Sequence, residues 1–264
     1  MYKKYVSIVS VVLIFLVFFG AVLANPNYVY PYDIRITNDI DYTNCVDVVD
    51  LNNDGKDDVL AANNGINKVY ISTFRYGIDW PPSCIYPITS DAHDSQHIHA
   101  GDLDKDGDID VVVANIGVNY VYLNTGTQVH ASNPGQRGNG TSWTRYALTS
   151  DSNASRSIHV ADMDNDGDLD AVVGNNGINY IYFNSIPGAP DTIHGNGSFG
   201  QEGNGTYWRR FNLSNDSHDT YSIAIGDIDD DGDMDVAVGN NYTTTGGVPN
   251  QDGINYVYLN TGPG

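Results

Sequence analysis

Asp162-Met163-Asp164-Asn165-Asp166-Gly167-Asp168-Leu169-Asp170 decides the reading of this chain, because the pattern occurs four times. The other copies run Asp50 to Asp58, Asp102 to Asp110 and Asp227 to Asp235. The first, third, fifth and ninth residues carry side-chain oxygens: Asp50, Asn52, Asp54 and Asp58; Asp102, Asp104, Asp106 and Asp110; Asp162, Asp164, Asp166 and Asp170; Asp227, Asp229, Asp231 and Asp235. The sixth residue is always glycine, which permits the sharp turn such a loop needs.

Carboxylates crowded at this spacing repel one another unless a cation sits between them. Ca²⁺ suits the donor set, since it accepts six to eight hard oxygens in a flexible shell. By analogy with other Asp-rich calcium loops, the seventh residue supplies a backbone carbonyl: Lys56, Asp108, Asp168 and Asp233. Lys56 and Asn52 make the first copy the weakest expected site. Solvated acidic turns are the bland alternative, but one turn does not explain four copies in fixed register. An EF-hand is excluded, because the twelfth position holds Ala61, Val113, Val173 and Val238 in place of a bidentate Glu. A dockerin-like loop would be followed by a helix. The runs that follow here, such as Ile109-Asp110-Val111-Val112-Val113, are β-branched strand material.

The repeat extends beyond the loop. In Ser157 to Asn184 one strand enters it, Ile158 to Ala161, and a second leaves it, Leu169 to Gly174. Asn175-Asn176-Gly177-Ile178-Asn179 then signals a hairpin turn before a third strand, Tyr180 to Phe183. The turn recurs at Asn63 to Asn67 and Asn115 to Asn119, and in the fourth copy after an insertion, Tyr242 to Gln251. Fourth strands are expected at Tyr28–Thr37, Cys84–Thr89, Trp143–Thr149 and Tyr207–Leu213, and the long linkers Gly126–Ser142 and Ile186–Thr206 read as surface loops. The predicted fold is therefore all-β, a β-propeller of four-stranded antiparallel blades in four repeats. The repeats form a closed four-bladed ring, half of a larger ring, or a fragment. Tyr28–Thr37 would complete the last blade. A β-sandwich does not predict four near-identical units.

Val160 to Gly174, Ile98 to Asn115 and Ile223 to Asn240 resemble the FG-GAP/VCBS repeat of integrin-α-like propellers, with Val46 to Asn63 a looser copy. The resemblance covers residues 28–262. It implies calcium loops between the first and second strands of each blade, and an extracellular role in adhesion or ligand binding. Blade number departs from the integrin pattern, seven there against four repeats here.

Charge and termini agree with that setting. The formal net charge is −21, from 33 acidic and 12 basic residues, which argues against nucleic-acid binding. Lys3 and Lys4, the apolar run Val6 to Phe19 and Val22-Leu23-Ala24 read as a signal peptide over 1–24, leaving residues 25–264 as the propeller domain. An uncleaved membrane anchor is the alternative. Seven Asn-x-Ser/Thr sequons, at Asn139, Asn153, Asn196, Asn204, Asn212, Asn215 and Asn241, suit a secreted or cell-surface protein.

Cys45 and Cys84 fall on the innermost and outermost strands of one blade, ~14 Å apart, too far for an unstrained disulfide. No nucleophile motif such as Gly-x-Ser-x-Gly is present. His99 and His159 occupy equivalent strand positions, which favours packing over a zinc site, and the recurring tyrosines read as strand packing. The expectation is about four Ca²⁺ and a non-catalytic module for an extracellular protein or glycan ligand, acting as a single chain or as a homodimer. The competing reading is a calcium-dependent polysaccharide-active enzyme such as a lyase, which the shortage of Lys and Arg disfavours; a structural surface-layer component is a third.

The loops between the first and second strands lie on one face of such a scaffold. The inter-blade connections lie on the other: Asn38–Asp41, Asp91–His97, Asp151–Arg156 and Asn215–Asp219, with the Tyr242–Gln251 insertion. That second face is the expected ligand surface.

Overall fold

The computed structural model describes residues 40–72, 82–125, 139–148, 150, 152–187, 203–241, 244–245, 248–249 and 253–261. The signal-peptide reading, the Tyr28–Thr37 strand and most of both long linkers lie outside the described residues. The described elements are strands, with a short 3₁₀ turn at Pro82–Cys84.

The first repeat is an antiparallel meander of β1 (Tyr42–Val49), β2 (Asp58–Gly65), β3 (Lys68–Tyr70) and β4 (Ile85–Pro87), paired in that order. The second repeats it with β5 (His93–Gly101), β6 (Asp110–Gly117), β7 (Tyr120–Asn124) and β8 (Trp143–Ala147). In the third, β9 (Asn153–Ala161) pairs with the first half of β10 (Asp170–Ser185), whose second half pairs with the start of β11 (Tyr207–Gly226). The end of β11 opens the fourth repeat, followed by β12 (Asp235–Asn240), a small ladder of β13 (Thr244–Thr245) with β14 (Val248–Pro249), and β15 (Tyr256–Tyr258). Cys45 on β1 and Cys84 beside β4 thus sit at opposite edges of the first meander, and both thiols are free.

Repeats meet at short two-residue ladders, such as Asn64↔Asp94 with Gly65↔His93, and Ile116↔Ala154 with Gly117↔Asn153. Their broad contacts are face to face. Successive strand residues point to opposite faces, so Val111 and Val113 pack with Leu51, Leu60 and Val69 of the first repeat. Val112 and Ala114 pack with Ile158, Ala171 and Val173 of the third. Met163 and Val172 meet Ile223, Val236 and Val238 of the fourth. A strand buried on both faces has no polar alternation, which explains the continuous run Val111-Val112-Val113-Ala114.

The ladder does not return to its start among the described residues, where it ends at β15 on one side and at β4 on the other. The two outer faces are correspondingly bare. Val46 is 58% exposed, whereas Ile98 at the same position of the second repeat is 1% exposed. Val257 is 52% exposed and its counterpart Val121 is fully buried.

The turns after the second strands also carry the seams. Asn63, Asn115 and Asn175 each donate Nδ2 to the carbonyl three residues on, and their N–H groups donate to Asn67, Asn119 and Asn179. Those second asparagines reach into the next repeat. Asn67 Nδ2 donates to Ser95 Oγ at 3.0 Å, and Ser95 donates onward to Asn115 Oδ1 at 2.7 Å. Asn119 reaches Ser155, which donates to Asn175; Asn179 reaches Thr220, which donates to Asn240. A buried polar group left without its partner is costly, so this largely buried relay fixes the angle at which repeats meet.

Candidate metal centre

Each aspartate loop is shaped by its own first residue. Asp162 accepts the N–H groups of Asp166 at 3.1 Å and Gly167 at 2.9 Å, one on each carboxylate oxygen. Asp50 and Asp227 hold their loops in the same way. The chain can curl this tightly because it turns left-handed at the fourth residue (Asn165, φ 59°) and again at the sixth (Gly167, φ 91°). Asn and Asp tolerate that region and glycine enters it freely. Lys105 adopts it at the second loop, φ 58°.

The ninth residue has a second role that the spacing alone did not disclose. Asp170 accepts from Met163 N–H at 2.9 Å with one oxygen and from Asn184 N–H at 2.9 Å with the other. Asp58, Asp110 and Asp235 make the matching pairs. The loop is thereby pinned to the end of the third strand. That strand's terminal asparagine then crosses the seam: Asn184 Nδ2 donates to Leu103 O at 2.7 Å, and Asn260 Nδ2 to Met163 O at 2.8 Å.

Three groups of carboxylates converge, with ligating oxygens all within 4.8 Å of one another: Asp102, Asp104 and Asp110; Asp162, Asp164 and Asp170; Asp227, Asp229 and Asp235. These are the first, third and ninth positions. The fifth positions, Asp106, Asp166 and Asp231, line the same loops but bond the N–H two residues on. At the seventh, the Asp108 and Asp168 side chains are buried. Asp168 meets Lys105 and the N–H of Gly203, and Asp233 accepts from Asn165. The first loop forms no such convergent group among the described residues; there Lys56 Nζ sits 2.6 Å from Asp54 Oδ2.

Electrostatics mark the same positions. Burial, with Asp104 and Asp106 adding repulsion, pushes the Asp110 carboxyl up to about 8. Asp104 and Asp164 rise to about 6 through burial and their neighbours Asp106 and Asp166. Asp170 is raised well above the usual carboxylate range by burial and by Asp164. Asp58 rises to about 6, again chiefly through burial. Asp235 is the exception, held low first by the N–H groups of Ile228 and Asn260. Asp102 Oδ1 is buried with no protein partner. All-oxygen donors, mutual repulsion and a partnerless buried oxygen fit a hard divalent cation.

The opposite side carries cation–aromatic stacks. Arg145 lies over Tyr120 and pairs with Asp91, beside His93. Arg156 lies over Tyr221 and pairs with Asp219 at 3.2 Å. Arg210 lies over Tyr180. Of the expected ligand surface, Asn38, Asp39, Asp151 and most of the Tyr242–Gln251 insertion lie outside the described residues.

An all-β array of antiparallel meanders, each with an aspartate loop between its first two strands and three of those loops with carboxylates close enough to share a metal ion, defines a class of metal-competent β-repeat protein. The chain carries FG-GAP-like repeats: the family model for that repeat matches residues 50–113 and 102–173. The fourth loop falls outside the matched residues yet has the same hydrogen bonds. Among solved structures, the crystal structure of the V. cholerae biofilm matrix protein Bap1 is similar at 17% identity and a TM-score of 0.37, over 75% of this chain and 35% of that one. The chain thus spans about a third of that protein's length. No curated protein matches. No helix among the described residues is long and apolar enough to cross a membrane.

Proposed function

We propose that this protein is an extracellular calcium-binding β-propeller module that binds a protein or glycan ligand and performs no catalysis. The observation that carries this is the convergence of three carboxylate groups to within 4.8 Å in three successive repeats. Asp102, Asp104, Asp106 and Asp110, with the carbonyl of Asp108, would hold one ion. Asp162, Asp164, Asp166 and Asp170 with the carbonyl of Asp168 would hold a second, and Asp227, Asp229, Asp231 and Asp235 with that of Asp233 a third. Asp50, Asn52, Asp54 and Asp58 with the carbonyl of Lys56 would hold a fourth, more weakly. Bound calcium supplies charge neutralisation, and these residues set the curvature of each loop against the strands.

The four meanders are the blades. The bare faces around Val46 and Val257 are apolar and would cover each other on ring closure, directly or through a second copy. Ligand binding falls to the side opposite the aspartate loops, where the guanidinium groups of Arg145, Arg156 and Arg210 lie over aromatic rings. Secretion is supported by the leader-like residues 1–24 and the sequons.

Calorimetry on chelated protein tests the reading. About four Ca²⁺ should bind and raise the melting temperature. No heat and no thermal shift would refute it. For the ligand surface, Arg145→Ala and Arg156→Ala should weaken capture on glycan and protein arrays without changing calcium stoichiometry.

A further inference from the structure

Asp47, His99, His159 and Ala224 occupy one repeat position, three residues before each aspartate loop. They lie on the first strands of consecutive repeats, which run beside one another. His97, two residues before His99, points to the same side of β5. Repeat position alone marks His99 and His159 as packing groups. The structure brings three rings together: the His159 ring centroid lies 4.9 Å from that of His97 and 4.9 Å from that of His99. Asp47 flanks them, its carboxylate fixed by the N–H groups of Ala100 at 3.0 Å and Val48 at 2.9 Å.

We propose that His97, His99 and His159, with the Asp47 carboxylate, form a binding site for a transition-metal ion of the Zn²⁺ type, distinct from the aspartate loops. Two observations carry it. Nδ1 of His97 and Nδ1 of His99 are both buried without a hydrogen-bond partner, and buried polar atoms in folded proteins are ordinarily satisfied. The donor set is also chemically selective: imidazole nitrogens with one carboxylate suit Zn²⁺, Cu²⁺ or Ni²⁺, whereas Ca²⁺ takes oxygens.

Burial lowers all three imidazoles below their ordinary range, His159 to about 4, so the neutral ligating form is present at neutral pH. The titratable groups facing the cluster are Asp47 and the three rings themselves, with the Ile158 backbone against His97; Ala224 contributes no donor from the fourth repeat. The ring planes are tilted by 48° and 55°. As the side chains stand, these four groups do not bring one ligand atom each within 4.8 Å of one another as the three aspartate groups do; closing on one ion requires the imidazoles to rotate about Cβ–Cγ, a soft torsion, with the backbone in place.

The test uses full-length protein saturated with Ca²⁺, so that the aspartate loops do not compete, then titrated calorimetrically with Zn²⁺. One Zn²⁺ per chain should bind, and Co²⁺ in its place should give the absorption of a tetrahedral nitrogen–oxygen site. His97→Ala and His159→Ala should each weaken Zn²⁺ binding at least about tenfold, while His218→Ala, at a histidine stacked on Tyr256 outside the cluster, leaves it unchanged. If an alanine variant fails to fold, His159→Gln keeps most of the volume. On the wild type, imidazole ¹⁵N shifts should move for His97, His99 and His159 alone. Absence of Zn²⁺ binding under excess Ca²⁺, or binding indifferent to these histidines, overturns the assignment.

Discussion

The third repeat and the first are built on one plan and differ in how much of it is finished. In the third, Ile158 is fully buried between neighbours, Asp162, Asp164 and Asp170 converge, and Asn184 bridges to the second repeat. In the first, Val46 stands in the place of Ile158 and is 58% exposed, Asn52 replaces a carboxylate, Lys56 occupies Asp54, and Ser72 takes the position of Asn184. A repeat of this kind is stabilised by its neighbours more than by itself, as in other stacked-repeat proteins. The apolar residue is kept at position 46 although nothing among the described residues covers it.

The largest test of this contrast is truncation at that position. Ile158→Ala removes a side chain sealed between the second and third repeats and should cost about 2–5 kcal/mol in denaturant unfolding. Val46→Ala should cost less than about 1 kcal/mol in the isolated chain. A large loss at Val46 would show that its face is covered in solution, by ring closure or by a second copy, and sedimentation would separate the two.

Next in size is the seam clamp. Asn184→Ala deletes the donor to Leu103 O and the acceptor of Gly205 N–H, both buried. Groups of that kind left unpaired cost about 1–3 kcal/mol. The loss should appear as a lower denaturant midpoint with an unchanged slope.

A further difference depends on pH. In calcium-free protein the folded Asp110 carboxyl titrates at about 8 against an ordinary value of 3.8, so between those limits the folded state holds a proton that the unfolded chain has released. The Asp110 contribution to stability therefore falls as pH rises from about 4 to 8 and flattens below 4, while the lowered imidazoles of His97, His99 and His159 add the opposite slope below their ordinary value of 6.5. Asp110→Asn should flatten the slope. With saturating Ca²⁺ the sign reverses, because the ion requires the deprotonated carboxylates and acid releases it. An Asp110→Asn protein whose slope between pH 6.5 and 8 matches that of the wild type would contradict the burial seen at Asp110.

Much of this arrangement was legible from residue spacing. The Asp-x-Asp-x-Asp-Gly register located the loops, and the β-branched runs after them marked the second strands. What spacing could not show was direction. Asp170 reads as a ligand by position, yet its two oxygens are committed to Met163 and Asn184 N–H groups, the latter fourteen residues away at the end of the third strand. The Asn175-Asn176-Gly177-Ile178-Asn179 turn reads as a hairpin signal, and its asparagines also serve the neighbouring repeat through Ser155 and Thr220. The recurrence of Asn at both ends of every turn was the available clue. The His97–His159 contact joins two repeats and left no trace in local sequence.

The smallest expected effect lies in the first loop itself. Lys56 Nζ is 2.6 Å from Asp54 Oδ2, so an ion entering that loop must displace an ammonium from a carboxylate it needs. The pair is partly solvent-exposed, and such pairs are worth roughly 0.2–1 kcal/mol. Lys56→Ala should therefore tighten calcium at the first loop by about two- to fivefold, while the seventh-residue carbonyl is retained. Asn52→Asp should add to it by restoring the third carboxylate. Neither change should touch the ions bound around Asp104, Asp164 and Asp229. Calorimetry on Asp104→Ala, Asp164→Ala, Asp229→Ala protein isolates the first loop, and adding Lys56→Ala to that background reads the gain directly. If affinity stays flat, the difference between the first and third loops lies in the missing carboxylate at Asn52 and in the open outer face, and the lysine is a bystander.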